Sequence, residues 1–118
     1  MANQLAMQNL NLQKERKAAV ERLAADLTTE NLWAAMAEFE AYPFQTAKGL
    51  EFTYRIKGNE MFVDRKDKSI TRATVNVAFQ KALELRRVVT GPKKLGCFGA
   101  SYLYPVFIQI GVIVTTES

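Results

Sequence analysis

Residues 69–87 read SITRATVNVAFQKALELRR, and this stretch is the longest well-marked helical pattern in the chain. Ser69 or Thr71 can cap its start, because a hydroxyl oxygen there accepts a backbone N–H of the first helical turn. Small and apolar side chains then follow the spacing of one helix face: Ile70, Ala73, Thr74, Val77, Ala78, Ala82 and Leu85. Phe79 and Leu83 broaden this face. The pattern therefore predicts a central helix that lies between two layers of structure.

The segment before this helix has the pattern of a β-hairpin. Residues 51–57 alternate between apolar and polar side chains, and residues 60–65 return after Gly58-Asn59. A glycine at the first turn position accepts the positive φ that two-residue hairpin turns require. Pairing about that turn sets Arg55 opposite Phe62. The face that packs on the helices then carries Tyr54, Ile56, Met61 and Val63, and the opposite face carries Arg55, Lys57 and Phe62.

Two helices are predicted before the hairpin. Residues 3–26 form the amphipathic pattern of the first, and Thr28 or Thr29 can cap the second. Tyr42-Pro43 ends the second helix, because the residue before a proline is disfavoured in the α region. Residues 1–12 either extend the first helix or form a flexible segment.

A short helix and a strand are predicted after the central helix. Residues 101–110 read as an apolar helix that ends at Gly111, and Val112 to Thr116 can form a final strand beside the hairpin. The chain is thus predicted to be a single α+β domain over residues 1–118. Its small antiparallel sheet would make it winged-helix-like.

The composition argues against an enzyme, a metalloprotein and a membrane protein. The chain has no histidine, which removes the usual general base and the commonest zinc ligand. Cys97 is the only cysteine, so no disulfide can form within the chain, and Phe98 beside it suggests a buried, inert thiol. No apolar run reaches the length of a membrane span, and the N-terminus lacks a signal-peptide pattern. We therefore expect a cytoplasmic protein with no catalytic residues, no cofactor and no metal.

Positive charge is concentrated in the second half of the chain. The net charge is +4, and residues 51–118 carry eleven basic and six acidic side chains. Between Arg55 and Lys94 the count is eleven basic against four acidic. Such a surface attracts phosphates or an acidic protein face. An aromatic side chain beside Arg and Lys, as at Phe62, can stack on a base or fill a pocket in a partner.

The segment ITRATV, Ile70 to Val75, resembles the start of the recognition helix in GntR-type and lactose-repressor-type regulators. In those families the Arg and Thr positions of this run approach DNA. The resemblance implies that Thr71, Arg72 and Thr74 contact DNA here.

Two functions of different class follow. In the first, the protein is a basic nucleic-acid-binding module that contacts DNA or RNA through the hairpin and the N-terminal turn of the central helix. The residues assigned to that surface are Arg55, Lys57, Phe62, Arg65, Lys66, Lys68, Thr71, Arg72, Lys93 and Lys94. In the alternative, it is a small inhibitor or adaptor of the kind that phages and mobile elements encode. It would then bind a protein, and a homodimer is an option.

Overall fold

The computed structural model describes the backbone of residues 2–114 and the side chains of residues 7–114. The architecture is α+β, as the sequence predicts. The helices are α1 (Ala2–Ala25), α2 (Thr29–Glu38), α3 (Arg72–Glu84) and α4 (Ala100–Gln109), with a 3₁₀ helix at Pro92–Leu95. The strands are β1 (Phe44–Gln45), β2 (Glu51–Phe52), β3 (Tyr54–Lys57), β4 (Glu60–Val63) and β5 (Ile70–Thr71). Within residues 2–114, no helix combines the length and hydropathy that a bilayer crossing requires.

The hairpin forms with the predicted register. β3 and β4 are antiparallel, with Arg55 opposite Phe62 and Lys57 opposite Glu60. Gly58 in the turn has φ +58°, a left-handed conformation that glycine adopts without the steric penalty of a side chain. Alternation along β3 and β4 buries Tyr54, Met61 and Val63 and leaves Arg55, Lys57, Glu60 and Phe62 exposed.

The third strand of this sheet comes from a different segment than the one predicted. β5 pairs antiparallel with β4, whereas Val112 and Ile113 form a bend and Val114 belongs to no strand. Thr115 and Thr116 lie outside the described residues. Arg87 holds the C-terminal segment instead. Its guanidinium donates to the carbonyls of Gly111 (2.7 Å) and Val112 (3.2 Å), and its own carbonyl accepts the Val114 N–H.

The central helix is shorter than predicted and turned about its axis. Thr71 is its N-cap, and α3 ends at Glu84 instead of Arg87. The buried side chains are Val75, Ala78, Phe79 and Ala82, while Val77 is 58% exposed. β5 leads directly into α3, where a helix-turn-helix would need a preceding helix, so the winged-helix-like arrangement is not confirmed.

The N-terminal helices pack on an aromatic layer of the core. Ala19 and Leu23 of α1 are buried with α2. The aromatic layer consists of Phe39, Tyr42, Phe44, Phe52, Tyr54 and Tyr102, each within 6.4 Å of a neighbouring ring centroid. Arg16 closes one side of this layer, with its guanidinium over Phe39 and Tyr42 and donating to the Glu38 and Glu40 carbonyls at the end of α2. A cation at a helix C-terminus is favourable because the helix dipole is negative there.

Candidate nucleic-acid interface

The outer face of the three-stranded sheet carries four of the predicted binding residues. Arg55, Lys57, Phe62 and Thr71 are all exposed there, and Phe62 is 39% exposed. Two carboxylates accompany them: Glu60 lies opposite Lys57, and Asp64 follows β4. The net charge of this face is therefore close to zero, although residues 51–118 as a whole carry an excess of basic side chains.

The N-terminal turn of α3 is occupied by contacts within the protein. Thr71 Oγ1 accepts the Thr74 N–H at 3.2 Å, which is the capping bond of the helix. The Arg72 N–H donates to the Asn59 carbonyl at 2.8 Å, and Arg72 Nη1 donates to Asn59 Oδ1 at 3.2 Å. Its guanidinium carbon lies 5.2 Å from the centroid of a Trp33 ring. Thr71 and Arg72 therefore attach the hairpin turn to α2 and α3, which is a structural role.

The exposed Phe98 ring, with two lysines beside it and two more in the adjoining groove, forms a separate surface, which we call the Phe98 groove. Phe98 is 40% exposed, and the Nζ atoms of Lys68 and Lys66 lie 4.9 and 5.4 Å from its ring centroid. Lys48 and Lys93 line the groove beside the ring, and the volume of this groove is about 570 Å³. Its remaining lining comes from Pro92, Gly96, Cys97, Ala100 and Ser101, and it includes no carboxylate.

The lysines reach this groove from three segments of the chain. Lys66 and Lys68 lie in the turn between β4 and β5, and Lys93 lies in the 3₁₀ helix. Lys48 lies in a tight turn that is held by Thr46, whose side-chain and backbone groups bond to the backbone of Leu50. The tertiary fold therefore forms the groove, and no local sequence pattern predicts it.

A close approach at Gly99 positions Phe98. Gly99 has φ +78°, and a Cβ there would lie 2.7 Å from Ile70 Cγ1 and closer still to Cδ1. Only glycine allows the loop to come this near to β5 without displacing the buried Ile70 side chain. Leu95 on one side of the loop and Tyr102 on the other are buried, so the loop is anchored at both ends. Phe98, between them, points outward.

The positions of the remaining basic residues differ. Arg65 is exposed and its Nη1 donates to the Glu51 carbonyl at 3.3 Å. Lys94 is exposed beside Lys93, but it does not line the groove. Of the ten predicted residues, the structure thus gathers three around Phe98: Lys66, Lys68 and Lys93.

Sequence reasoning missed Lys48 and Phe98. It also treated Phe98 as part of a buried environment for Cys97, whereas Cys97 is only half-buried. Burial still raises the pKa of the Cys97 thiol, which lowers the fraction of reactive thiolate. The one sequence signal for an exposed Phe98 is its place between two glycines in a loop that carries lysines.

Comparisons of the chain with protein-family models, with curated protein sequences and with solved structures found no match. Among the described residues there is also no group of three or more acidic or cysteine side chains that could hold a metal ion.

Proposed function

We propose that the protein binds nucleic acid, with the Phe98 groove as its principal contact and the hairpin as a flanking one. The observation that carries this proposal is that the Nζ atoms of Lys66 and Lys68 lie beside the exposed Phe98 ring, while Lys48 and Lys93 line the adjoining groove, whose lining has no carboxylate. Lysines brought together by the fold repel one another, and an anionic ligand relieves that repulsion. A phosphate backbone supplies such charge at regular spacing, and its binding releases counterions.

The hairpin face is assigned a smaller role than the sequence suggested. Arg55 and Lys57 can contact phosphates, but Glu60 and Asp64 oppose the approach of an anion. Thr71 and Arg72 are held by contacts within the protein, so we do not assign them to base recognition. We therefore expect charge reversals beside Phe98 to weaken binding more than charge reversals on the hairpin.

Fluorescence anisotropy on a labelled duplex and a labelled single strand tests the proposal. We expect Lys66→Glu/Lys68→Glu to weaken binding by tenfold or more and to lower the salt slope by about 1.4–1.8 between about 50 and 200 mM salt. The matched control is Lys14→Glu/Lys17→Glu on α1, which changes the net charge equally at two exposed positions. The control should keep the wild-type slope.

Two results would contradict the proposal. One is the absence of binding to either nucleic acid at about 50 mM salt, where phosphate contacts are strong. The other is an equal loss of affinity in the two double variants, because that would mean that net charge alone governs binding.

The alternative function, a protein-binding inhibitor or adaptor, stays a prediction. Its support is the N-terminal part of α1, where Met7 and Leu10 are 63% and 56% exposed. Sedimentation of the purified protein distinguishes the two. A monomer that binds the labelled strands supports nucleic-acid binding, and a stable dimer that binds neither strand supports the alternative.

A further inference from the structure

We propose that the Phe98 groove holds an unpaired nucleotide, so that the protein prefers single-stranded over double-stranded nucleic acid. The base would stack on the Phe98 ring, and Lys66, Lys68 and Lys93 would contact the adjoining phosphates. This inference rests on the proposed nucleic-acid binding and adds the form of nucleic acid that is bound.

The Phe98 ring is exposed at a fixed position in the fold. The ring is 40% exposed, on a loop that is anchored by buried residues on both sides. An aromatic ring in water at a fixed position is a stacking platform, because every base presents a π-face to it. The lysine ammonium groups lie within cation–π distance of the ring, at 4.9 and 5.4 Å.

Lys66 and Lys68 can exchange their contact with the ring for a contact with a bound nucleotide. Both side chains are exposed and belong to a turn, so their ammonium groups are free to rotate away from the ring. A stacked base would replace them over Phe98, and the phosphate attached to that base would lie within their reach. The ring therefore suits the base of a nucleotide, and the two lysines suit its phosphate.

The size of the groove is suited to a single nucleotide. A groove of about 570 Å³ falls within the size range of small-ligand sites. In a duplex the faces of the bases are covered by their neighbours, so a base reaches a groove only after it leaves the stack. An unpaired base needs no such step, and the groove therefore favours single strands.

The matched pair of aromatics provides the test. Phe62 and Phe98 are equally exposed, at 39% and 40%. Phe62 shares a sheet face with both acidic and basic side chains, whereas the Nζ atoms of Lys66 and Lys68 lie within 5.4 Å of the Phe98 ring centroid. We would measure anisotropy with a fluorescein-labelled oligothymidylate of about 10 nucleotides, within the site size of single-strand binders, and with a duplex of equal length. The variants are Phe98→Ala, Phe62→Ala and Phe98→Trp.

The expected results separate stacking from charge. Wild-type protein should bind the single strand more tightly than the duplex. Phe98→Ala should weaken single-strand binding by roughly 5- to 150-fold, the range found for loss of one stacked base. Its salt slope should not change, because no charge is removed. Phe98→Trp should retain or increase the affinity, and Phe62→Ala should have a smaller effect than Phe98→Ala.

Other outcomes overturn the inference. If wild-type protein binds the duplex as tightly as the single strand, or if the two alanine variants are equivalent, the groove does not hold an unpaired base. In that case the proposed function still stands, provided that Lys66→Glu/Lys68→Glu lowers the salt slope. If no nucleic acid binds at about 50 mM salt, both the function and this inference fail.

Discussion

Replacing Gly99 with alanine tests how the fold positions the Phe98 loop. Two effects add up at this position. An alanine at φ +78° costs about 1–2 kcal/mol, because its Cβ crowds the following carbonyl. The same Cβ would overlap Ile70, at 2.7 Å from Cγ1, and overpacking of this kind typically costs about 1–3 kcal/mol. We therefore expect Gly99→Ala to lower the free energy of unfolding by about 2–5 kcal/mol.

A double-mutant cycle with Ile70→Val isolates the steric part. Valine lacks the Cδ1 atom that lies nearest to the added Cβ but retains a Cγ1, so the relief is partial. Gly99→Ala should cost about 1 kcal/mol less in the Ile70→Val background than in the wild type. Urea denaturation followed by the fluorescence of Trp33, the single tryptophan, gives these values. A cost below about 0.5 kcal/mol for Gly99→Ala, or strict additivity with Ile70→Val, would mean that a Cβ at residue 99 does not clash with Ile70.

Two further substitutions and one chemical modification test other parts of the structure. Arg86→Gly should raise the free energy of unfolding by about 0.5–1 kcal/mol, because Arg86 has φ +56°; Arg86→Ala, which keeps that strain, should give no gain in urea denaturation. Burial, with the nearby Glu40 carboxylate, raises the pKa of Tyr54 far above its ordinary value, and its Oη donates to the Met36 carbonyl at 2.6 Å. Stability linked to that shift is complete below pH about 10 and is lost as the pH rises further, because the unfolded state releases the phenol proton first. Tyr54→Phe should lower the free energy of unfolding by about 1 kcal/mol at neutral pH. It should also make the decrease in stability above pH about 10 less steep, and an equally steep decrease in the variant would contradict this prediction. Cys97 should react with iodoacetamide more slowly in the folded protein than in denaturant at the same pH, because burial raises its pKa; equal rates would contradict this.

The sequence was a good guide where structure is set locally. The hairpin register follows from the Gly58-Asn59 turn and from strict alternation, and both are visible within a few residues of each other. The N-cap at Thr71 follows from the hydroxyl that precedes a helical pattern. In each case the deciding interactions join residues that are close in the chain.

The sequence did not predict the features that depend on contacts between distant segments of the chain. α3 carries apolar side chains on more than one face, so what packs against it determines that Val75 is buried and Val77 exposed. β5 is only two residues long and forms because it pairs with β4. The C-terminal segment is held by Arg87 instead of by sheet pairing. None of these preferences is encoded within a single segment.

The same distinction explains the candidate site. The basic character of residues 55–94 was visible in the sequence, but it does not show which cations share a surface. Lys48 joins the groove through a turn held by Thr46, and Phe98 is exposed because Gly99 approaches Ile70. Conversely, the guanidinium groups of Arg16 and Arg87 donate to backbone carbonyls at helix ends. These two cations therefore stabilise the fold and do not contribute to the candidate site.

A titration of ¹⁵N-labelled protein with an unlabelled oligothymidylate, followed by amide chemical shifts, shows which surface of the protein binds a single strand. We expect the perturbed amides to cluster around the Phe98 groove, in residues 47–49, 65–69 and 92–101, with smaller changes in β3 and β4. The outward face of α3, at Val77 and Gln80, should remain unchanged. A titration at low salt that leaves every amide in place, or that perturbs α1 and the outward face of α3 alone, would contradict it.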